Sequence, residues 1–308
     1  MNSTVLISEV GPRDGLQNCK SIMPTEIKKR WIKALYEAGV QEIEVGSFVP
    51  PRLFPQLADT GEIVSFARTL LGLDVAALTP NLRGARDAVD AGATKITLPL
   101  SVSETHSLKN LRKTHDQVIE EVTVISEFLA TLPERQRPHF EGSLSTAFGC
   151  SLEGHIPDAQ ILSLAERLVD AGVDEVGLSD TTGYANPKTI KHLIKTVRGA
   201  VGEKYVTGVH LHNTQGLGIA NAYAAFEEGI TTFDSSQGGL GGCPASPGAS
   251  GNIVTEDLVF MFESMGISTG INLDKLMAAR DILQEGLPEE EIYGFTPNAG
   301  LPKTFKMA

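Results

Sequence analysis

The nonapeptide EAGVQEIEV, Glu37–Val45, decides the fold, because the chain repeats its pattern at three further places. The counterparts are DAGATKITL (Asp90–Leu98), DAGVDEVGL (Asp170–Leu178) and EEGITTFDS (Glu227–Ser235). In each, an amphipathic helix runs to a glycine (Gly39, Gly92, Gly172 or Gly229) and a short β-branched run follows at once. Glycine enters the left-handed conformation without the steric cost a Cβ imposes, so it ends a helix and releases the chain into a strand. A helix–Gly–strand joint recurring along the chain is how successive β/α units are written.

Working outward from these joints gives eight expected strands: Val5–Val10, Gln41–Val45, Val75–Leu78, Lys95–Leu98, His139–Ser145, Glu175–Leu178, Val206–His212 and Thr232–Ser235. Helical patterns fill the intervals at Thr25–Ala38, Gly61–Leu71, Leu82–Ala91, Asp116–Leu132, Asp158–Ala171, Pro187–Val201 and Gly218–Glu228. In the Asp158–Ala171 segment Ile161, Leu164, Leu168 and Val169 share one face, the period of a helix packed on a sheet. Eight alternations in about 240 residues match a TIM (β/α)8 barrel. A doubly wound open sheet would carry fewer strands and a glycine-rich phosphate loop after the first. From about Thr255 onward the chain reads as an extra C-terminal helical cap (Glu256–Met265, Asp274–Glu285) with a proline-containing tail, so residues 1–308 are expected to form one catalytic domain.

With 41% hydrophobic and 21% charged residues over 308 positions, the composition is that of a globular enzyme with a substantial core. The net charge of −12 argues against a nucleic-acid partner, which would demand clustered Lys and Arg. No apolar run approaches the roughly 20 residues of a membrane span. Cys19, Cys150 and Cys243 are too few and too scattered for a disulfide framework, and Met1–Thr4 carries no basic leader. A cytoplasmic protein is the expectation.

Barrel enzymes place their chemistry at the carboxyl ends of the strands, and polar residues gather there. After the first strand, GPRDGLQ (Gly11–Gln17) sets Arg13 beside Asp14, an anion-neutralising group next to one able to bind metal or accept a proton, or else a surface ion pair. In the second strand Glu42 and Glu44 share a face. The sixth ends in SDTTG (Ser179–Gly183), where Asp180 orients a ligand or caps the loop. The seventh carries VHLHN (Val209–Asn213): residues two apart in a strand point the same way, so His210 and His212 project together and can chelate one ion. Adding Asp14 makes a mixed N/O set with open positions, suited to Mg²⁺ or Mn²⁺, with non-haem Fe(II) an alternative on geometry alone. After the eighth strand, Gly238–Asn252 is glycine-rich and holds Cys243, as a lid carrying a thiol would. The remaining five histidines show no comparable spacing and receive no role.

These segments resemble the 3-hydroxy-3-methylglutaryl-CoA lyases, within the metal-dependent barrel lyases and synthases related to isopropylmalate synthase. The resemblance rests on EVGPRDGLQN (Glu9–Asn18), EVGSFVPP (Glu44–Pro51), LTPNLRG (Leu78–Gly84), LSDTTG (Leu178–Gly183), HLHNTQGLGIAN (His210–Asn221) and GGLGGCPASPGASGNIVTEDLV (Gly238–Val259), and so spans nearly the whole chain. It implies that Asp14, His210 and His212 hold a divalent cation with Asn252 as a further oxygen ligand. It also implies that Arg13 faces the thioester, Gln17 and Ser47 help bind substrate, Glu44 and Asp180 line the site, and Cys243 arrives on the lid. The implied reaction is cleavage of an acyl-CoA thioester to acetyl-CoA and acetoacetate, by an enzyme that is often a homodimer. A related 3-hydroxyacyl-CoA such as citramalyl-CoA, or a free hydroxy-keto acid, is the alternative substrate. Three departures stand out: Glu141 replaces an Arg usual on the fifth strand, Asn213 replaces an Asp after the second histidine, and Ser103–Thr114 matches only loosely.

Overall fold

In the computed structural model, which describes residues 4–241 and 251–308, eight parallel strands close into a barrel in sequence order, with the eighth pairing back to the first. The strands are β1 (Leu6–Glu9), β2 (Glu42–Ser47), β3 (Asp74–Leu78), β4 (Lys95–Ser101), β5 (His139–Ser145), β6 (Glu175–Asp180), β7 (Gly208–Leu211) and β8 (Thr232–Ser235). The four junction glycines all take positive φ, between 85° at Gly229 and 103° at Gly39, as the repeated joint predicts.

Helices α1 (Thr25–Glu37), α2 (Thr60–Ala67), α3 (Leu82–Ala91), α5 (His115–Ala130), α6 (Asp158–Asp170), α7 (Pro187–Val201) and α8 (Gly218–Glu227) lie where periodicity places them. An additional short helix, α4 (Glu104–Asn110), follows β4; seven residues are too few for a periodic apolar face to show in the sequence. Of the C-terminal helices, α9 (Thr255–Ser264) packs against α8 and β1, with Phe262 fully buried against Phe233 of β8 and Phe226 of α8. It therefore completes the outer ring, while α10 (Leu273–Gly286), seated on α1, and α11 (Phe295–Ala299) are the extra elements.

Strand alternation partitions the chemistry. Ile7, Ile43, Val75, Ile96, Phe140, Val176, Val209 and Phe233 are buried between strands and helices and make the apolar core. The inward-facing set is polar: Ser8, Glu42, Glu44, Lys95, Thr97, Glu141, His210 and Asp234 line a central cavity of about 340 Å³. Barrel interiors are more often filled by branched aliphatics, so this one is built to hold charge. Among the described residues no helix is long and apolar enough to cross a membrane.

Candidate active site

The backbone after β1 makes one π-helical turn, Gly11–Gly15, in which the amides of Arg13, Asp14 and Gly15 all turn to the Val10 carbonyl. This single turn aims Arg13 and Asp14 into the mouth of the cavity. Glu9, the last residue of β1, anchors it. Its carboxylate accepts the amides of Gly11 (2.9 Å) and Gln237 (2.9 Å) and the Thr255 hydroxyl (2.7 Å), tying the ends of β1 and β8 to the start of α9.

Arg13 is clamped between two carboxylates: Nε donates to Glu44 Oε2 and Nη1 to Asp14 Oδ1, each at 2.6 Å. Its Nη2 has no partner among the described residues. Burial acts against ionisation of Asp14, but Arg13, then His210, His212 and the Asn252 amide outweigh it and bring its pKa down to about 2. For Glu44 burial wins over Arg13, and its pKa is raised.

On β7, His210 and His212 project together, their Nε2 atoms 3.0 Å apart, with Asp14 Oδ2 4.0 Å from His210 Nε2. Two cis ligands at metal bonds of roughly 2.1 Å stand about 3 Å apart, which matches this spacing. Asp14, His210 and His212 are the one carboxylate–histidine cluster of metal-binding form among the described residues. Asn252 Oδ1 and Glu44 Oε1 are buried oxygens without a partner among the described residues, of the kind a cation takes, and His212 Nδ1, on the far side of its ring from Nε2, is buried without one as well. Asn252 reaches the cluster through Nδ2, which donates to Asp14 Oδ2 at 2.8 Å. Gly241 makes room for it: a Cβ there would stand 2.7 Å from Asn252 Nδ2 and 3.1 Å from Asp14 Oδ2.

Asp234 of β8 was not singled out by sequence, yet its Oδ2 meets His210 Nδ1 at 3.0 Å. Burial disfavours the His210 imidazolium, and Asp234 together with Asp14 reverses this, so its pKa is raised. His212 lacks such a partner; burial and then the neighbouring His210 push it down to about 4. A carboxylate behind one imidazole fixes which nitrogen faces the ligand. The signal lies in EEGITTFDS, where Asp234 stands two residues beyond Thr232 on the inward face, but nothing within that one strand names its partner on β7.

Of the residues expected at the site, Arg13, Asp14, Gln17, Glu44, His210 and His212 line the one cavity, and Asn252 touches it through Asp14. Asp180 does not line it. Its carboxylate accepts the amides of Tyr184 (2.9 Å) and Ala185 (3.2 Å), capping the loop after β6, and burial raises its pKa to about 6 against those amides. Ser47 lies beyond a bulge between Glu44 and Gly46, with its hydroxyl buried off the cavity wall. Cys243 lies outside the described residues. Glu141, which replaces the expected Arg, pairs with Lys95 of the neighbouring strand at 3.0 Å, so its charge is answered within the barrel floor.

A polar barrel cavity with a two-histidine, one-carboxylate cluster beside a clamped arginine marks a (β/α)8 enzyme whose donor set at the carboxyl ends of the strands suits a divalent cation. The HMGL-like family matches residues 4–283, and the chain belongs to that family. It is 38% identical to the hydroxymethylglutaryl-CoA lyase of Bacillus subtilis, over 91% of this chain and 92% of that one. It is 39% identical to the mitochondrial hydroxymethylglutaryl-CoA lyase of Arabidopsis thaliana, covering 92% of this chain and 59% of that longer protein. The structure of an HMG-CoA lyase from A. baumannii, in complex with coenzyme A and 3-methylmalate, superposes with a TM-score of 0.90 at 39% identity, covering 99% of this chain and 98% of the other.

Proposed function

We propose that this protein cleaves 3-hydroxy-3-methylglutaryl-CoA to acetyl-CoA and acetoacetate by a cation-assisted retro-Claisen reaction. The observation that carries the reading is the convergence of Asp14, His210 and His212 on one point with Arg13 alongside. Asp14, His210, His212 and Asn252 hold Mg²⁺ or Mn²⁺, and a bound divalent ion supplies electron withdrawal that eases ionisation of a substrate hydroxyl.

The chain's own residues do the rest. Asp234 holds the His210 ring, and Asp14, ionised across the working pH range, faces the cation; the C3 hydroxyl proton passes to Asp14 or to water beside it. As that proton leaves, the C3–O bond becomes a carbonyl, the C2–C3 bond breaks, and its electron pair passes into the thioester as an enolate. Arg13, fixed by Glu44 and Asp14, presents its remaining N–H groups to that developing charge without having to reorganise. Protonation of C2, by way of Cys243 in the segment after β8 or of a nearby acid, completes acetyl-CoA. Gln17 on the cavity wall and the nearby Ser47 are assigned to substrate binding; Asp180 supports the loop beside the site. The free thiols of Cys19 and Cys150 fit a reducing compartment, and the cytoplasm is the one proposed.

The test is acetyl-CoA release from 3-hydroxy-3-methylglutaryl-CoA by chelator-treated protein, with and without added Mg²⁺ or Mn²⁺. Turnover restored by metal is expected; turnover insensitive to metal, or none in its presence, overturns the proposal. A citramalyl-type thioester is the second reading. Its motivation is the branched hydroxy-dicarboxylate named in the A. baumannii complex, and the same assay with that thioester ranks the two.

A further inference from the structure

Across the barrel from the cation cluster, the short helix α4 carries His106 and, one turn on, Asn110, and both line the cavity. His106 belongs to no motif, but its surroundings are unusually determined. Its Nδ1 stands 2.8 Å from Ser101 Oγ, and Ser101 Oγ stands 3.1 Å from Thr146 Oγ1. Thr146 Oγ1 in turn accepts the Ser103 amide at 3.2 Å. Ser103, as N-cap of α4, accepts the His106 amide at 3.1 Å, and the Ser101 carbonyl meets His115 Nε2 at 2.9 Å.

The polarity of this chain follows from counting protons. Thr146 is fully buried, and its oxygen already receives the Ser103 amide. Among the described residues the acceptor in reach of its own hydroxyl proton is Ser101 Oγ, which assigns Thr146 as donor and Ser101 as acceptor. Ser101 then directs its proton to His106 Nδ1. With Nδ1 an acceptor, the neutral ring carries its proton on Nε2. That nitrogen has no partner among the described residues, and the ring lines the cavity.

The relay is also held at a cost. Thr146 has φ of 59°, the left-handed region a β-branched residue avoids. Such strain persists where the surroundings over-determine it, and it clusters where a group must be aimed. Here the strained backbone places the hydroxyl that joins Ser101 to Ser103, and the Thr146 amide is pinned in turn to Thr181 Oγ1 at 2.9 Å.

We propose that His106 is a specificity-determining residue that donates Nε2–H to an sp² oxygen of the bound acyl-CoA, a carbonyl or carboxylate on the side of the cavity opposite the cation cluster. This rests on the acyl-CoA lyase reading above and names the part of the substrate that α4 reads. The bond is made alike to substrate and transition state, so it sets KM and leaves kcat nearly untouched.

The experiment measures kcat, KM and Mn²⁺ affinity for His106→Leu, His106→Gln and Ser101→Ala with 3-hydroxy-3-methylglutaryl-CoA. His106→Leu should raise KM roughly tenfold, the value of one good hydrogen bond, at unchanged Mn²⁺ affinity. His106→Gln keeps an N–H donor and should recover most of that loss. Ser101→Ala, which frees Nδ1 to take the proton, should raise KM roughly threefold. A KM unchanged in His106→Leu, or a glutamine variant as poor as the leucine one, overturns the proposal. Repeating the comparison with the N-acetylcysteamine thioester distinguishes the sources: a penalty that persists puts the oxygen on the acyl group or the cysteamine amide beside it, and one that vanishes puts it farther along the pantetheine arm. If the wild-type protein cleaves no such thioester, the lyase reading fails on its own, and the His106 donor is judged by calorimetry with 3-hydroxy-3-methylglutaryl-CoA, which then binds without turning over. Equal affinities of wild type and His106→Leu would then refute it.

Discussion

Toward the amino-terminal ends of the strands, Lys95 sits among Glu42, Glu141 and Glu175; toward the carboxyl ends, Arg13 sits between Asp14 and Glu44 with His210, His212 and Asp234 beside it. Both groups place one fixed cation among three carboxylates inside the same barrel. The lower group closes on itself. Lys95 Nζ lies 3.0, 3.3 and 3.5 Å from Glu141, Glu175 and Glu42, and Glu175 also meets His139 (3.2 Å) and Thr207 (2.5 Å). The upper group stays open: Glu44 Oε1, His212 Nδ1 and Asn252 Oδ1 are buried and unpartnered among the described residues. An orphaned buried polar atom costs roughly 1–3 kcal/mol, so a protein keeps several together where something else is meant to complete them. The floor holds the barrel, and the mouth waits for a ligand.

Substitutions should separate the two roles. The largest effect is expected from His210→Ala, which removes a cation ligand and leaves Asp234 facing a void. Activity should fall about 10⁴-fold, roughly 5 kcal/mol in the barrier, with Mn²⁺ affinity lost in parallel and the denaturation midpoint little changed. A variant that keeps Mn²⁺ affinity would show that the mouth cluster is structural, like the floor. Lys95→Met should do the reverse. Three buried carboxylates lose their shared countercharge, and urea denaturation should reveal about 3–5 kcal/mol of destabilisation, while Mn²⁺ affinity of the folded protein persists. A stable Lys95→Met protein would mean that the floor charges are neutralised some other way.

Smaller, but still decisive for the mouth, is Arg13→Lys. A lysine keeps the charge and loses the fork that spans Glu44 and Asp14 while leaving N–H groups for substrate. About a 10²-fold fall in kcat is expected, with Mn²⁺ affinity held within a fewfold. A kcat close to wild type would reduce Arg13 to a point charge.

How far the sequence reveals each region differs for the same reason. His210 and His212 declare themselves because period two puts neighbours on one face, and Arg13–Asp14 because the pair is contiguous and glycine-bounded. Each is local. Lys95 and Glu141 become a pair only when β4 and β5 align Thr97 with Glu141, and Asp234 joins His210 only when β8 lies beside β7 with those residues in register. Glu9, Gln237 and Thr255 come from three separate segments. Asp180 was legible as polar at a strand end, but its choice between cavity and loop amides was not, since that depends on how the Tyr184–Ala185 backbone turns. The barrel itself was legible because its repeated joint is written locally each time. The role of α9 as the eighth ring helix was not, because β1, one of the elements it packs on, lies at the other end of the chain.

The finest test lies within the floor. Burial, only partly offset by Lys95 and reinforced by Glu175, raises the Glu141 pKa from 4.5 to about 7. Between those values the folded protein binds a proton that the unfolded chain has released. Linkage then requires stability to fall as pH rises through the window, and the favourable contribution is complete only below pH 4.5. Glu141→Gln removes the titrating group while leaving Lys95 with Glu42 and Glu175. The variant should therefore gain on wild type as pH is raised from about 4.5 to 8, by up to about 3 kcal/mol, and level off above pH 7. Denaturant midpoints at a series of pH values in that range give the difference directly. A gap that widens in the opposite direction would mean that Glu141 is held as an anion by Lys95 throughout, so that the floor is a fully ionised cluster like the mouth and differs from it only in being closed.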